Sequence, residues 1–232
     1  MNITIIIKKF ILSTESSLQI YIVQFLCHLL LNSPLLENHI TQLVNANITD
    51  LLFEVISTKN ELLIESILCC LELFSHHSIF FEKNYALFGV PVLIDIAYFL
   101  SKLKNWRLFH KNLNLLTSMI TSDKCLMSTD FLATHFQQSM QLIVKCVTVQ
   151  NPSVLFTVCQ FFQIFLKKEN LPSPLPLTQI LDTVSLCFRS LSKFLLSQSH
   201  ASLSLKNASA SSVPIELKVL ASGLNLVSTC LR

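Results

Sequence analysis

Residues 61–74 read ELLIESILCCLELF, and the placement of apolar side chains in this stretch decides the fold class. The large apolar residues recur every three or four positions, which puts them on one face of an α-helix. The same spacing occurs in three other stretches. The four sets are Leu63, Ile67, Leu68, Leu71 and Phe74; Leu18, Ile22, Phe25, Leu26 and Leu29; Leu113, Leu116 and Ile120; and Leu155, Val158, Phe162 and Phe165. The sequence therefore predicts four amphipathic helices.

The four predicted helices are evenly spaced along the chain. Their midpoints, Cys27, Cys70, Leu115 and Cys159, lie 43, 45 and 44 residues apart. This period is typical of HEAT and armadillo repeats, which are about 40 to 47 residues long. A short pattern, SPLLE at residues 33–37, also recurs 45 positions later as SIFFE. We therefore predict an all-α fold, an armadillo/HEAT-like α-solenoid of about five helical repeats.

Residues 78–122 form the clearest predicted repeat. We expect a helix around residues 80–87, a turn at 88–90 centred on Gly89, a helix over 91–103 and a helix over 107–121. Pro91 suits a first helical turn because the N–H that it lacks has no partner there. The run Gly89-Val90-Pro91-Val92-Leu93-Ile94, followed after about 20 residues by Leu113-Asn114-Leu115-Leu116, resembles the second and third helices of an armadillo repeat.

Changes in composition predict the domain organisation. We expect an armadillo-like helical repeat domain over residues 1–198, a flexible Ser-rich linker over 199–213, and the start of a further, truncated helical repeat over 214–232. Alternating prolines at residues 172–176 predict an extended connector before the last helix of the repeat domain.

The overall composition excludes several classes of protein. Apolar residues make up 51% of the chain and charged residues 13%, which argues against disorder. The two glycines are too few for a Gly-rich phosphate loop or a many-stranded β-sandwich. A net charge of +3 gives no reason to predict direct nucleic-acid binding. Because a solenoid unit buries its faces only against its neighbours, the apolar excess predicts covering repeats or a covering partner.

The cysteines indicate the redox state of the cellular compartment, and two uncharged stretches bear on membrane association. The eight cysteines lie among apolar residues, and we interpret them as reduced core thiols in a reducing compartment. Residues 16–36 and 146–166 are uncharged and long enough to span a bilayer, so a membrane protein is one alternative. Gln24, His28 and Asn32 form a polar stripe on one helix face, which favours an amphipathic helix and no membrane association.

One basic stretch with an aromatic residue inside it is the candidate partner-binding site. Cations beside an aromatic ring can contact phosphate groups or an acidic segment of a partner. The alternative is a solvated turn between helices, with the tryptophan packed as a lid. The candidate residues are Lys102, Lys104, Trp106, Arg107 and Lys111, with His110 among them.

The sequence predicts no catalytic, cofactor or metal site. Cys69, Cys70, His76 and His77 are the one group with zinc-type ligands. Neighbouring residues on a helix point about 100° apart, and neither CxxC nor HxxxH spacing is present. We therefore expect buried cysteines and helix-end histidines. Because nucleophile motifs and paired carboxylates are also missing, we do not predict an enzyme.

Three groups of core-type residues stand out in the first half of the chain. They are LFEVIS at residues 52–57, CCL at 69–71, and Phe80-Phe81 with Lys83 and Tyr85 before Gly89. In these residues the chain resembles the meiosis inhibitor protein 1 family, which consists of long helical-repeat animal proteins. The resemblance covers about the first half of the chain. Because the family proteins are much longer, we expect this chain to be a fragment, an isoform or a partial gene product.

The resemblance implies a scaffold that is required in meiosis I. Its expected roles are programmed DNA double-strand break formation and homologous chromosome pairing and synapsis. Its expected partners are proteins of the meiotic break-forming machinery, in which a topoisomerase-like enzyme performs the cutting. The expected location is the nucleus, with the cytoplasm as a second location. The alternative is a generic armadillo-like adaptor without a meiotic role.

Overall fold

The structure, a computed structural model, describes residues 3–32, 36–82, 85–121, 152–166, 177–201 and 214–230. Within these ranges all regular structure is helical and no strand occurs, which confirms the predicted all-α class. The chain divides into two compact units, Met1–Ser128 and Thr129–Arg232. The domain predicted over residues 1–198 spans parts of both units, and its extent stays a prediction.

The described part of the first unit contains eight helices. Three of the predicted midpoints, Cys27, Cys70 and Leu115, fall inside the second, fifth and eighth of them. The helices are α1 (Ile3–Ile11), α2 (Ser16–Asn32), α3 (Leu36–Asn45), α4 (Ile48–Ile56), α5 (Glu61–Ser75), α6 (Ser78–Glu82), α7 (Tyr85–Lys102) and α8 (Trp106–Thr121).

Contacts between these helices recur at every third element. α1 contacts α4 and α4 contacts α7, while α2 contacts α5 and α5 contacts α8; α3 likewise contacts α6. Helices that are adjacent in the sequence also pack together. The apolar face of each helix supplies the contact, as on α2, where Val23, Leu26 and Leu30 are buried at helical spacing.

The connections that precede α5 and α8 have the same backbone conformation and the same type of capping residue. Lys59 and Lys104 have left-handed φ angles of 62° and 58°, and an asparagine follows each of them. Oδ1 of Asn60 and Oδ1 of Asn105 accept hydrogen bonds from backbone N–H groups in the first helical turn, at 3.1 to 3.3 Å. These caps satisfy donors that a helix start leaves unpaired. The two corners lie 45 residues apart, within the predicted repeat period.

A close approach between α4 and α7 corrects one prediction. The turn expected at residues 88–90 is wrong, because α7 runs continuously through this segment with Pro91 inside it. Gly89 does not adopt a positive φ. A Cβ atom at this position would lie 3.0 Å from Cζ of Phe53 and 3.2 Å from Cε of Met119. The absence of a side chain at Gly89 therefore allows neighbouring helices to approach α7 closely, and it does not serve to form a turn.

The described part of the second unit contains three helices, α9 (Pro152–Leu166), α10 (Leu177–Ala201) and α11 (Ile215–Cys230), and each contacts the other two. The fourth predicted midpoint, Cys159, lies in α9. Nε2 of Gln163 on α9 donates to the carbonyl oxygen of Ser222 on α11 at 2.6 Å. α10 includes the first residues of the predicted linker, whereas residues 202–213 and the prolines at 172–176 lie outside the described residues.

Candidate partner-binding site

The predicted basic stretch lies where α7 joins α8. Lys102 is the last residue of α7, and Lys104 occupies the left-handed position of the connection. Trp106 begins α8, and Arg107 and Lys111 follow on the same helix. Although all five residues are close in sequence, Arg107 and Lys111 contact another helix, α5, whereas Lys102 and Trp106 contact aromatic rings of their own helices.

Arg107 and Lys111 reach across to α5. Nη1 of Arg107 lies 2.6 Å from Oε1 of Glu65. Nζ of Lys111 lies 3.1 Å from Oε2 of Glu72 and donates to Sγ of Cys69 at 2.8 Å. Both cations therefore bridge α8 to α5, and their charges are partly matched within the protein.

Asn105 extends this set of polar contacts. Its Nδ2 donates to Oε2 of Glu61 at 2.8 Å, while its Oδ1 caps α8. Together, Asn105, Arg107 and Lys111 make four polar contacts with α5, at Glu61, Glu65, Cys69 and Glu72. Asn105 of the second Lys–Asn corner therefore contacts Glu61, the residue that directly follows the first corner.

The α5–α8 contacts shift pKa values on both helices. A hydrogen bond from the Arg107 guanidinium, assisted by its charge, outweighs burial and holds the pKa of Glu65 below its usual value. Burial lowers the pKa of Lys111, but its contacts with Cys69 and Glu72 together outweigh burial and raise that pKa. The Arg107 side chain is 70% exposed, so water screens its ion pair strongly.

Arg107→Met is expected to raise the pKa of Glu65 towards its usual value, because the substitution removes the hydrogen bond and the charge. In the wild type, the stabilising effect of Glu65 is present above the unfolded glutamate pKa of about 4.3 and is lost as the pH falls through the lower folded value. Carboxyl ¹³C NMR titration measures this pKa directly. Lys104→Met, which removes an exposed cation of the same stretch, is the control and should leave it unchanged. An unaltered Glu65 pKa in Arg107→Met contradicts the assignment.

Lys102 faces a different cavity, which lies between α7 and the connection after α4. Its Nζ lies 4.3 Å from the ring centroid of Tyr98, a cation–π contact. Nζ of Lys59 lies 5.8 Å from the ring centroid of Phe99 in the same cavity. The cavity volume is about 350 Å³, and its lining residues are Ser57, Lys59, Val92, Asp95, Ile96, Tyr98, Phe99 and Lys102.

Trp106 is half-buried and packs against its own helix. Its ring meets the ring of Phe109 edge-on, with centroids 5.9 Å apart and planes at 83°. Aromatic pairs prefer such geometry. Partner binding by the basic stretch and a solvated turn with Trp106 packed as a lid both stay predictions.

A larger groove between α2 and α5 was not singled out in the sequence. Its volume is about 660 Å³. Leu31 and Leu62 line it and are 65% and 66% exposed, although both are apolar. The sequence signal is weak: Leu62 begins an apolar run of three residues, which a helix cannot bury on one face. The lining residues are Ile20, Gln24, Cys27, His28, Leu31, Leu62, Glu65, Ser66 and Cys69.

Two further observations concern metal and membrane sites. Within the described ranges, no group of three or more histidine, cysteine, aspartate or glutamate side chains could hold a metal ion. Cys70 is buried in α5 as expected, whereas the prediction that Cys69 is buried is wrong, because Cys69 is half-buried; His76 follows the last residue of that helix. Among the helices that the structure describes, none combines the length and apolar character required to cross a bilayer.

Comparisons with known proteins identify the family. The profile described as the meiosis inhibitor protein 1 N-terminal domain matches residues 1–232. Proteins named meiosis inhibitor protein 1 from Homo sapiens and Mus musculus are each 27% identical to the chain over 120 residues. That segment is 52% of this chain and 9% of each relative, so the chain matches a small part of their length. No solved structure matches the chain. Since the profile covers its full length, the chain belongs to the family of the meiosis inhibitor protein 1 N-terminal domain.

Proposed function

We propose that this chain is a non-enzymatic protein-binding scaffold that acts in meiosis I. In this proposal it is required for programmed DNA double-strand break formation and for homologous chromosome pairing and synapsis. Its partners are proteins of the meiotic break-forming machinery, and its location is the nucleus. Family membership supports the meiotic part of the proposal, since meiosis is the process named in both relatives.

We infer that the scaffold is an armadillo/HEAT-like α-solenoid. The contacts of α1 with α4, of α2 with α5 and of α3 with α6, continued by α7 and α8, support a repeat of three helices. The two Lys–Asn corners, 45 residues apart, support the same repeat length. In such an architecture equivalent helices lie side by side and form an extended surface suited to binding a partner.

The observation that carries the binding proposal is the α2–α5 groove. Leu31 and Leu62 are each about two-thirds exposed, and both line this open cavity. Gln24 and His28 add polar groups at the same place. A few polar groups among apolar side chains are typical of a binding surface. The proposed occupant is an apolar segment of a partner protein, whose side chains cover the two leucines.

A double substitution tests the groove in germ cells that enter meiosis. Leu31→Lys lies in the last turn of α2 and Leu62→Glu in the first turn of α5, so each charge suits its helix end and the net charge is unchanged. Losing the burial of two leucines costs about 3 kcal/mol, about a hundredfold in affinity. We expect a loss of double-strand break foci and of synapsed chromosomes, measured by immunofluorescence.

The matched control is Leu12→Glu with Leu103→Lys. Both leucines are exposed, neither lines the groove, and the net charge again stays constant. Normal break foci are expected in this control. If the groove variant is folded by circular dichroism and also forms normal break foci, the binding proposal is wrong.

Expression of the transcript separates the meiotic scaffold from a generic adaptor. Restriction to germ cells in early meiotic prophase supports the scaffold. Broad somatic expression supports the adaptor and contradicts a dedicated meiotic role, while the helical fold is unaffected by either result.

A further inference from the structure

Two cysteines in the second unit are in direct contact through their sulfur atoms. Sγ of Cys159 on α9 and Sγ of Cys187 on α10 are 3.3 Å apart, although 28 residues separate them in the sequence. Both side chains are fully buried. A disulfide has about 2.05 Å between its sulfurs, so the two sulfurs have to approach each other by about 1.3 Å to form the bond.

The third helix of the unit packs directly against this pair. A Cβ atom at Gly223 on α11 would lie 3.2 Å from Cβ and 3.3 Å from Sγ of Cys187. The hydrogen bond from Gln163 on α9 to Ser222 ties α11 to α9 next to this position. The two sulfurs are therefore held at the meeting point of three helices.

The environment of the two thiols is unequal. A hydrogen bond from the Cys159 thiol lowers the pKa of Cys187 below the usual cysteine value, and this effect exceeds the opposing effect of burial. The same hydrogen bond and burial raise the pKa of Cys159. Cys187 is therefore the better nucleophile, because the thiolate and not the thiol attacks.

We propose that Cys159 and Cys187 form a dithiol site that a peroxide oxidises reversibly to a disulfide between α9 and α10. The Cys187 thiolate attacks one peroxide oxygen, the O–O bond breaks, and the leaving hydroxide takes a proton to become water. The Cys159 sulfur then attacks the sulfur of the Cys187 sulfenic acid. The S–O bond breaks, the Cys159 proton leaves with the hydroxide as a second water, and peroxide is reduced by the two electrons that the thiols lose.

Peptide mapping of the full chain tests the site. The protein is treated with hydrogen peroxide in native buffer, alkylated, digested without reductant and analysed by mass spectrometry. The expected product is a cross-linked peptide pair containing Cys159 and Cys187, lighter by two hydrogen atoms than its reduced parts. Dithiothreitol is expected to remove it. Cys27→Ala is the matched control and should retain the cross-link, because Cys27 lies in the first unit.

Single substitutions test the order of attack. Cys159→Ala is expected to accumulate a sulfenic acid at Cys187, which dimedone traps, whereas Cys187→Ala should give no cross-link and little adduct at Cys159. Circular dichroism in native buffer checks that each variant is folded. A wild-type protein without the Cys159–Cys187 cross-link overturns the proposal. A cross-link that forms only in urea also overturns it, because the pairing then belongs to the unfolded chain.

Discussion

Phe53→Ala is expected to lower the free energy of unfolding of the first unit by about 3 to 5 kcal/mol. Phe53 is fully buried on α4, and its ring centroid lies 6.4 Å from that of Phe80 on α6. Its Cζ also fills the space opposite Gly89 on α7. Truncation leaves a cavity where three helices meet, and their other contacts prevent them from closing it.

Urea unfolding followed by tryptophan fluorescence measures this loss. Trp106 is the one tryptophan in the chain and lies in α8, so its signal reports on the first unit. Phe25→Ala, at a phenylalanine of α2 that is 46% exposed, is the matched control, with an expected change within about 0.5 kcal/mol. Equal stability of the two variants contradicts the assignment of Phe53 to the contact of α4, α6 and α7.

The helices were the most predictable part of the fold. Cys27, Cys70, Leu115 and Cys159 were predicted as helix midpoints, and each lies within a described helix. Helical periodicity is a local property, because one buried face requires apolar residues every three or four positions. The helix face that packs against a neighbouring helix is then the same apolar face that this spacing predicts.

The segment around Gly89 could not be predicted in the same way. In a sequence without its neighbours, glycine two residues before proline is typical of a turn. In the structure, the ring of Phe53 comes so close that only a residue without Cβ fits without a shift. The left-handed corners, for which glycine is the usual residue, are instead formed by Lys59 and Lys104.

The candidate site was predictable as a set of residues but not as a surface. Their charge marks Arg107 and Lys111 in the sequence, while their ion-pair partners lie 42 and 39 positions earlier, at Glu65 and Glu72. These separations approach the repeat length, so the period itself was the signal that could have found them. The cavity that Lys102 faces depends on where α7 ends. Neither the charge nor the spacing of the residues in the sequence shows that end.

Asn112→Asp is expected to destabilise the first unit by about 3 kcal/mol or more at pH 7. Asn112 is fully buried on α8, and its Nδ2 donates to the carbonyl oxygen of Leu93 on α7 at 2.8 Å. Its Oδ1 has no hydrogen-bond partner within the described part of the chain. An aspartate there places a carboxylate next to a carbonyl oxygen, out of reach of water.

The penalty of Asn112→Asp should depend on pH in a defined direction. Burial and the nearby carbonyl oxygen favour the neutral acid, so the folded pKa of the new aspartate lies above the unfolded value of about 3.9. Below that pH both states are protonated, and the acid proton can donate to the Leu93 carbonyl. As the pH rises from there to the folded pKa, the unfolded state ionises first and the variant loses stability.

Asn114→Asp is the matched control, because it makes the same chemical change at an exposed position of the same helix. Urea unfolding of both variants at several pH values, followed by Trp106 fluorescence, cancels the background titration of the other groups. The stability difference between the variants should be smallest near pH 3 and largest near pH 7. If the difference is independent of pH, the buried contact between α7 and α8 at Asn112 is wrong. Asn112→Leu, which introduces no charge, is expected to cost less than Asn112→Asp at pH 7, because burying an apolar side chain of similar size avoids the charge penalty.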